Sequence, residues 1–422
     1  MGAKIRNEKV QIRDDRVVIT GMGALTPLGN NWRDTWYALK NGRSGVTRVT
    51  QFDPTGLPTQ IAGEVKGFQP REHLDTTRVR RTSRASQLAI VAAREAVTDS
   101  GLGPDFSGVE AAVHVSSAVS GFTEIQDATR LLDAGELRRI SPRFVPSALP
   151  NMPACEIAID LGIHGPVNSS ALACASGAYA LLEARKLLLS GEADVVIAGG
   201  TDAAITPVMF AGMSAMRAMS KNNASPEEAS RPFDADRDGF VFAEGAVIFV
   251  LELLAGARKR GAHVYAEVLG GALTSDGFNF VAPEPSGKFA GEAISRALKR
   301  SNLEAEEIDL ICAHGTSTQA NDRAETKAIR HVFGRAADSV AVTAPKSMTG
   351  HLIGAAGALA GLVCAMAIRE STIPPIINYT TPDPECALNY VPRIAREQKL
   401  TYAITNAFGF GGQNCSVIFG RV

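Results

Sequence analysis

The chain of 422 residues is longer than most single hydrophobic cores, so we expect two domains or one large duplicated fold. Apolar residues make up 45% and charged residues 21% of the chain, which excludes a disordered or collagen-like protein. Lys and Arg number 43 and Asp and Glu number 44, so the basic excess that is typical of nucleic-acid binders is absent from the composition.

The six cysteines are scattered and include no CxxC pair, which argues against a zinc or disulfide framework and favours a reducing, cytoplasmic location. Residues 1–15 are polar and charged and lack the apolar core of a signal peptide, so we predict an N-terminal leader there. Residues 352–368 carry no charge, but this stretch is short for a bilayer span. We therefore predict a buried core helix and no membrane partner.

The first half of the chain alternates between strand and helix patterns. The apolar run 17–20 predicts a strand that ends in a glycine turn within residues 21–29 (GMGALTPLG). A helical period over 84–101 precedes a buried strand pattern over 111–117. The pattern continues with a strand near Val167, a helix over about 175–189, a strand over 194–198 and an apolar run over 246–254.

The second half repeats this layout. A helix near 290–301 precedes an apolar strand from 308 that leads to His314, as the earlier helix precedes the strand at 194–198. Residues 341–362 predict a strand, a glycine-containing turn and a helix of small residues, which matches the layout of 167–184. The two copies predict an internally duplicated α/β fold whose seam falls around residues 255–275.

Two segments imitate ligand-binding motifs. Gly21 and Gly23 begin a dinucleotide fingerprint, but the third glycine is missing, so we interpret the segment as a tight turn. Residues 234–239 (DADRDG) imitate a calcium loop, but Glu244 falls one residue too early and two arginines lie among the would-be ligands. We predict a salt-bridged surface or interface loop, and neither a metal nor a nucleotide cofactor.

Cys174 is the first candidate for chemistry. It lies in SALACASG (170–177), between an extended segment and a helix, where the helix macrodipole is expected to lower the pKa of a thiol. A buried structural cysteine fits this segment alone equally well. His314, at a strand end, and His351, at the start of the small-residue helix, favour nucleophilic catalysis. A glycine-rich loop at 406–412 has backbone N–H groups suited to an oxyanion.

Together these motifs resemble those of a known family. ACASG around Cys174, HGTST at His314, KSMTGH ending at His351 and NAFGFGG at 406–412 resemble the β-ketoacyl-acyl-carrier-protein synthases, and among them the elongating synthase II type. The likeness covers nearly all of residues 16–422 in the family's order. It implies a thiolase-like, duplicated α/β fold in which halves 16–265 and 266–422 form a five-layered α-β-α-β-α sandwich, usually as a homodimer.

The resemblance also implies roles for the site residues. Cys174 would attack an acyl-carrier thioester and hold the acyl group, and His314 and His351 would assist decarboxylation of malonyl-carrier protein. The backbone N–H groups of Cys174 and Phe410 would hold the oxyanion of the condensation step. No cofactor is implied, because the substrates travel on the phosphopantetheine arm of acyl carrier protein.

Further positions match the family by alignment. Lys346 resembles its buried lysine and Glu325 the carboxylate partner of that lysine. Thr316 and Thr318 match positions that bind the pantetheine arm, and Phe408 matches the gating loop together with Phe410. The expected lining of the acyl channel is Val119, Phe210 and Met213, where Val and Met replace the Ile and Phe of many relatives and indicate a longer or differently shaped pocket.

The carrier protein is acidic, so a cationic docking patch is expected near the entrance. Arg138, Arg139 and Arg217 match docking positions of the family, and Arg80 or Arg81 is a candidate to join them. A thiolase would need a second catalytic cysteine, whereas Cys415 lies in an apolar strand, and an initiating synthase would need a Cys-His-Asn set.

The nearer alternative is the ketosynthase subunit of a type II polyketide or polyene system. Residues 319–326 (QANDRAET) and 381–392 (TPDPECALNYVP) resemble that group. Such subunits act with a chain-length-factor partner that lacks the cysteine, and the presence of Cys174 excludes that silent role for this chain. The choice between fatty acid and polyketide synthesis, and between homodimer and heterodimer, stays open.

Overall fold

The computed structural model describes residues 15–103, 106 and 108–422, so the predicted leader lies outside the described residues apart from Asp15. The strands are β1 (Val17–Leu25), β2 (Val46–Arg48), β3 (Ile61–Gly63), β4 (Ala111–Ser116), β5 (Val167–Asn168), β6 (Val195–Asp202), β7 (Gly245–Leu253), β8 (Ala266–Ser275), β9 (Leu310–Cys312), β10 (Ala341–Thr343), β11 (Thr372–Ile373), β12 (Arg396–Glu397), β13 (Tyr402–Gly409) and β14 (Gln413–Gly420).

The helices are α1 (Trp32–Lys40), α2 (Pro70–His73), α3 (Thr76–Arg81), α4 (Arg84–Asp99), α5 (Phe122–Asp133), α6 (Phe144–Ala148), α7 (Met152–Leu161), α8 (Ser176–Ser190), α9 (Pro207–Ala215), α10 (Pro226–Ala229), α11 (Leu254–Lys259), α12 (Lys288–Ser301), α13 (Gln319–Phe333), α14 (Lys346–Thr349) and α15 (Ala356–Glu370). Short 3₁₀ turns lie at Leu137–Arg139, Ala173–Ala175, Ala305–Glu307, Gly334–Asp338, Ile353–Ala355 and Pro384–Cys386.

One ten-stranded sheet is built from two matching units. The strand order is β10-β9-β13-β14-β8 in one unit and β1-β7-β6-β4-β5 in the other. Each unit has the same sequence of antiparallel and parallel pairings from its inner strand outward. Only two residue pairs, Val18–Glu267 and Ile19–Ala266, join β1 to β8. The sheet therefore shows the predicted internal duplication.

Helices form three layers around these two units. Helices α8 and α15 pack on each other between the units, and their side chains share one core with residues of both. Helices α4 and α7 cover the outer face of the first unit, while α12 and α13 cover that of the second. The layers read α-β-α-β-α, so the predicted five-layered sandwich is confirmed.

The apolar segment that invited a membrane interpretation is the centre of this core. Residues Ile353–Glu370 are long and apolar enough to cross a bilayer by length and composition, yet 89% of them are buried inside the protein. A helix that is apolar on every side needs apolar surroundings on every side, and α15 obtains them from α8 and the strands of both units. The prediction of a buried core helix is confirmed.

The turn predicted within residues 21–29 is present but begins later than expected, and the tight-turn interpretation of Gly21 and Gly23 is wrong. Strand β1 continues through both glycines to Leu25, and the turn follows at 26–29, where Thr26 N–H donates to the Gly29 carbonyl at 2.9 Å. Helix α4 crosses β1 so closely that a Cβ at Gly23 would lie 1.9 Å from the Ala92 carbonyl oxygen. The strand predicted over 194–198 likewise runs on through its two glycines to Asp202.

Replacing Gly23 by Ala is expected to lower the free energy of unfolding by about 2–3 kcal/mol, because α4 must move away from the sheet to admit the methyl group. Gly256→Ala is the matched control, since Gly256 lies in α11 with open space around its Cα. That control is expected to be neutral or stabilising by about 0.5–1 kcal/mol. Urea unfolding of both variants measures the difference, and equal stabilities would contradict this packing.

The calcium-like loop is salt-bridged as predicted, and it lies partly at the surface, where Asp236 and Asp238 are exposed, and partly against the C-terminal half. Asp234 and Arg237 are both buried. Oδ2 of Asp234 accepts the backbone N–H of Thr380 at 2.6 Å and of Thr381 at 2.7 Å. Nη1 of Arg237 donates to Asp383 at 2.7 Å. These contacts to the C-terminal half draw Asp234 and Arg237 into the interior and use the carboxylate oxygens that a calcium ion would need.

Candidate active site

Two equivalent turns, one in each half, position the candidate nucleophile and one histidine. Cys174 lies in the 3₁₀ turn Ala173–Ala175 that leads into α8, and His351 lies just before the 3₁₀ turn Ile353–Ala355 that leads into α15. Each turn begins at a residue with positive φ, Ala173 at 46° and Ile353 at 51°. His314 follows the end of β9. The ligating atoms of Cys174, His314 and His351 all lie within 4.8 Å of one another, and all three residues are buried.

The hydrogen bonds of His351 set its tautomer. Its Nδ1 accepts the backbone N–H of Ile353 at 3.1 Å, so the ring proton must be on Nε2. Nε2 is buried and has no hydrogen-bond partner among the residues that the structure describes. Burial and the Lys346 ammonium hold the pKa of His351 well below its usual value, so the ring is neutral. His351 therefore offers one free N–H donor inside the site.

His314 is held in the same way by a different partner. The Lys346 ammonium lies 3.4 Å from Nδ1 of His314 and also donates to the His314 carbonyl oxygen. Because an ammonium only donates, Nδ1 accepts and Nε2 carries the proton. Burial, followed by the charge of Lys346, holds the pKa of His314 well below its usual value. The two imidazole rings are 5.5 Å apart at an interplanar angle of 84°.

Glu325 holds the backbone at His314. It accepts the backbone N–H groups of His314 and Gly315, each at 2.8 Å, and so fixes the backbone that carries the imidazole. Burial raises the pKa of Glu325 to about 7, opposed by those two hydrogen bonds. Burial lowers the pKa of Lys346 while the Glu325 charge raises it. Within the described part of the chain the two side chains form no direct ion pair, so their coupling acts through space.

The thiol of Cys174 does not match the expectation from its helix terminus. Cys174 is 6% exposed, and burial raises the pKa of its thiol to about 11. The Lys346 charge and the backbone N–H of Phe410 oppose this shift, whereas the carboxylate of Asp202 adds to it. The predicted lowering of the pKa is wrong for the free site, because lost hydration outweighs the nearby donors. The backbone N–H of Phe410 nevertheless lies at the sulfur, as the oxyanion hypothesis requires.

A cavity of about 410 Å³ opens onto these residues. Val119, Met213 and Ile353 line its apolar side. Phe210 is fully buried and packs behind Val119 and Met213, so it abuts the cavity without lining it. The walls of this side therefore contain the three predicted channel positions, two at the surface of the cavity and one behind it.

The lining of the cavity also includes the predicted arm-binding residues. Thr316 and Thr318 line it, and their hydroxyls lie 2.9 Å apart. Phe408, near the end of β13, and Phe410, on the loop that joins β13 to β14, line it as well, and the Phe408 ring lies 5.7 Å from His314. Gly411 and Gly412 close that loop with φ of 83° and 74°, which side chains rarely adopt.

The three arginines predicted to dock the carrier protein are exposed, and they lie in two separate segments of the chain. Arg217 lines the cavity at its rim. Arg138 and Arg139 lie in the turn Leu137–Arg139, where Arg139 pairs with Glu136. Arg80 is exposed on α3, whereas Arg81 is half-buried and lies 3.8 Å from Glu156.

The cysteine and two histidines also resemble a soft-metal ligand set by spacing alone. Both Nδ1 atoms accept hydrogen bonds, from Ile353 N–H and from Lys346. Both Nε2 atoms therefore carry protons and have no lone pair to offer. The donor set fits polarised N–H groups acting on a substrate oxygen better than it fits a metal.

From the sequence, no role is predicted for several residues that support the site. Asn406 lies inside the quoted NAFGFGG motif, and its amide points at Glu325 at 3.4 Å. Asp322 is fully buried and accepts the Thr316 N–H at 3.1 Å. Asp202 follows a Gly-Gly pair at the end of β6. A buried-strand pattern that ends in a carboxylate is the signal that could have identified Asp202.

Family profiles cover most of the chain. One described as the β-ketoacyl synthase N-terminal domain matches residues 14–257, and one described as the C-terminal domain matches residues 265–380. A protein of Synechocystis sp. named 3-oxoacyl-[acyl-carrier-protein] synthase 2 is 43% identical over 408 residues, which cover 96% of this chain and 98% of the relative. The protein of that name from Staphylococcus aureus strain N315 is 42% identical over 411 residues, covering 97% and 99%.

Solved structures agree in fold. A type II polyketide ketosynthase, in a complex with its acyl-carrier protein, superimposes with a TM-score of 0.89 at 30% identity. The ishigamide ketosynthase/chain length factor gives 0.90 at 35% identity. Each comparison covers 96% of this chain and 99% of the other. The predicted fold class is confirmed.

Proposed function

Because the chain belongs to the β-ketoacyl synthase family of acyltransferases, we propose that it is a 3-oxoacyl-[acyl-carrier-protein] synthase that elongates a fatty acyl chain. One observation carries the chemistry: a buried thiol and two imidazoles that present Nε2–H groups meet within 4.8 Å at the end of a cavity. The two named relatives support the choice of malonyl- and acyl-carrier proteins as substrates.

In the first half-reaction the Cys174 sulfur attacks the thioester carbonyl of acyl-carrier protein. The backbone N–H groups of Cys174 and Phe410 stabilise the oxyanion that forms. The carrier's pantetheine thiolate leaves and takes up the proton that the Cys174 thiol loses, so the carrier departs with a free thiol. A thiol with a pKa of about 11 is almost fully protonated at neutral pH, which leaves this proton transfer as part of the acylation step.

In the second half-reaction malonyl-carrier protein enters and loses carbon dioxide. The electron pair of the broken carbon–carbon bond becomes an enolate, whose oxygen accepts the Nε2–H groups of His314 and His351. The enolate carbon then attacks the acyl-Cys174 carbonyl, the Cys174 thiolate leaves and is reprotonated, and the carrier holds a 3-oxoacyl chain. Donors preformed in a buried site stabilise the developing charge by several kcal/mol.

The same proposal assigns the remaining residues. Thr316 and Thr318 hold the pantetheine arm, Phe408 and Phe410 gate the entrance, and no cofactor takes part beyond that arm. Arg138, Arg139 and Arg217 contact the acidic carrier protein, supported by their exposure and by the position of Arg217 at the rim. The halves 16–265 and 266–422 are the two units of the duplication, supported by the start of β8 at Ala266.

A ketosynthase subunit of a type II polyketide or polyene system is the second candidate. The match to the ishigamide ketosynthase/chain length factor covers 99% of that chain, and this supports the second candidate. Val119 and Met213 on the cavity wall favour an elongated or irregular acyl chain, since Met adapts its shape readily.

Incubation of the purified chain with acyl- and malonyl-carrier protein tests both candidates. Mass spectrometry is expected to show an acyl adduct on Cys174 and a 3-oxoacyl product on the carrier. A triple charge reversal at Arg138, Arg139 and Arg217 is expected to raise KM for the carrier protein and leave acylation by short N-acetylcysteamine thioesters intact. Absence of any adduct on Cys174 would refute the function. A product that forms only with an added chain-length factor would favour the second candidate.

We further propose a homodimer in the cytoplasm. Helix α5 has no buried residue, and apolar side chains at 125, 132, 137 and 145 are exposed on and beside it. The edge strand β5 is exposed too. Exposed apolar side chains and an exposed strand at the edge of the sheet favour pairing with a second copy of the chain. The six cysteines are all free thiols, which supports a reducing compartment.

Sedimentation is expected to give the mass of two chains, and Leu137→Glu is expected to shift the protein toward monomer, since Leu137 is 66% exposed beside α5. Ile394→Glu is the control, because Ile394 is 79% exposed on a different part of the chain. A monomeric wild-type protein that pairs only with an added chain-length factor would contradict the homodimer.

A further inference from the structure

Asp202 is a fully buried carboxylate beside the site, at the end of β6. Four donors surround it: Ser117 Oγ at 2.6 Å and Val119 N–H at 2.9 Å on Oδ1, and Gly354 N–H at 2.6 Å and Ala118 N–H at 3.1 Å on Oδ2. One side chain thus links the acyl-cavity loop at 117–119 to the turn that follows His351. Burial raises the pKa of Asp202 to about 6, so it is charged at neutral pH.

The internal duplication allows the surroundings of Asp202 to be compared with the equivalent position in the second unit. Strands β6 and β13 are each eight residues long, so Gly409 in the second unit corresponds to Asp202 in the first. Helices α8 and α15 are each 15 residues long and each follows a three-residue 3₁₀ turn, so Gly354 corresponds to Cys174. A Cβ at Gly409 would lie 3.3 Å from the Cys174 nitrogen, whereas Asp202 lies on the nitrogen of Gly354.

The duplication therefore contains two equivalent anion-binding turns. Beside Cys174 a glycine leaves the backbone N–H open to a substrate oxygen. At Gly354 the protein's own carboxylate occupies the equivalent N–H. The second turn is used for structure, and the residue it supports is His351, three positions upstream.

We propose that Asp202 is a positioning residue for decarboxylation: by anchoring Gly354 it fixes the turn whose Ile353 N–H holds His351 with its proton on Nε2. This inference rests on the proposed role of His351. The path is short, since Gly354 follows Ile353 directly and Ile353 N–H donates to His351 Nδ1 at 3.1 Å.

The close packing of the turn supports this role. A Cβ at Gly354 would lie 2.5 Å from Asp202 Oδ2, and the Gly354 carbonyl lies 2.4 Å from a Cβ built at Gly200 and 2.6 Å from one built at Gly177. The turn is pressed against β6 and the first turn of α8, so it has no room to shift while Asp202 holds it. Removing the carboxylate frees the N–H end of the turn.

Asp202 also acts on Cys174 through its charge. Its charge raises the pKa of the Cys174 thiol, against the Lys346 ammonium, which lowers it. The other titratable groups that face the sulfur are His314 and His351, whose low pKa values keep them neutral. Loss of the Asp202 charge therefore favours the thiolate.

The full-length Asp202→Asn variant tests the proposal. An amide presents one oxygen and one donor group, so at least one backbone N–H now meets a donor. Decarboxylation of malonyl-carrier protein is expected to fall about 10- to 100-fold, as for a small displacement of a catalytic group. The pH at which iodoacetamide alkylates Cys174 at half its maximal rate is expected to move below the wild-type value.

Asp99→Asn is the matched control. Asp99 on α4 has a side chain that is 3% exposed, pairs with Arg33, and accepts Met22 N–H at 3.0 Å and the Tyr265 hydroxyl at 2.8 Å, outside the residues that line the cavity. It is expected to lower thermal stability and leave alkylation and decarboxylation unchanged. Asp202→Glu keeps the charge but moves it, so decarboxylation falls while the alkylation profile stays near wild type.

An Asp202→Asn protein that is only less stable, with wild-type alkylation and decarboxylation, would overturn the proposal. If that variant does not fold, wild-type decarboxylation by Asp202→Glu would overturn it instead. Alkylation needs neither acyl nor malonyl substrate. If the wild-type protein does not decarboxylate malonyl-carrier protein, the proposed function is refuted. If the wild-type protein decarboxylates it and the Asp202 variants do so equally well, only the role of Asp202 is refuted.

Discussion

Replacing Cys174 by Ala is expected to lower the rate of condensation by about 10⁴-fold or more, because the acyl group then has no covalent attachment site. The thiol lines the cavity and the Phe410 N–H reaches its sulfur, whereas none of the other five cysteines that the structure describes belongs to the lining. The rate of 3-oxoacyl product formation, measured by mass spectrometry of the carrier protein, gives the effect.

Decarboxylation of malonyl-carrier protein is expected to survive this change. The Nε2–H donors of His314 and His351 are held by Lys346 and Ile353, and neither contact involves the sulfur. Cys364→Ala is the matched control, since Cys364 is a buried thiol in α15 away from the cavity lining, and it is expected to retain condensation. A Cys174→Ala protein that still condenses acyl and malonyl groups would contradict covalent catalysis by this residue.

The sequence predicted the duplication because the repeat appears in local patterns. A strand, a turn of small residues and a helix recur at both Cys174 and His351. The two turns are of the same 3₁₀ type and have a positive φ at Ala173 and Ile353. The motifs at His314 and at 406–412 likewise lie at strand ends, as their flanking residues indicate. These features depend on neighbours within a few residues, so periodicity captures them.

Features that depend on distant contacts were missed or misjudged. Gly23 looked like a turn residue, but its small size serves the approach of α4, about 70 residues away along the chain. The charged loop around Asp234 was predicted at the surface or at an interface, but its partners at 380–383, which bury Asp234, could not be identified from the sequence. A local sequence pattern shows that a position needs a small or a charged residue. It does not show which distant element contacts that position.

The thiol pKa shows the same limit for electrostatics. The helix terminus at Cys174 is readable from the sequence, and its donors do lower the pKa. Burial by the cavity walls raises the pKa more, and those walls come from both halves of the chain. Asp202, whose charge also raises it, has no motif of its own. The identity of the reacting groups is therefore local information, whereas their protonation state belongs to the assembled fold.

The two histidines are expected to differ in what their substitution reveals, because each is oriented by a different partner. The Nδ1 of His351 accepts a backbone N–H, whereas the Nδ1 of His314 faces an ammonium. An Asn side chain at 351 can replace the acceptor for Ile353 N–H with its amide oxygen but does not reach the position of Nε2. A Gln side chain reaches farther and can place an N–H there.

His351→Asn is therefore expected to lower decarboxylation of malonyl-carrier protein by about 10²- to 10³-fold, the usual effect of losing one donor to a developing oxyanion. His351→Gln is expected to retain more of the rate, and acylation of Cys174 by acyl-carrier protein is expected to change by less than about threefold in both variants, since the Cys174 and Phe410 N–H groups serve that step. Release of labelled carbon dioxide and the mass of the acyl-enzyme measure the two steps separately.

Equal loss of acylation and decarboxylation in His351→Asn would show that His351 supports the fold of the site rather than the enolate. Loss of decarboxylation alone, with recovery in His351→Gln, ties the reaction to a single N–H group whose direction is set by Ile353 and, through Gly354, by Asp202.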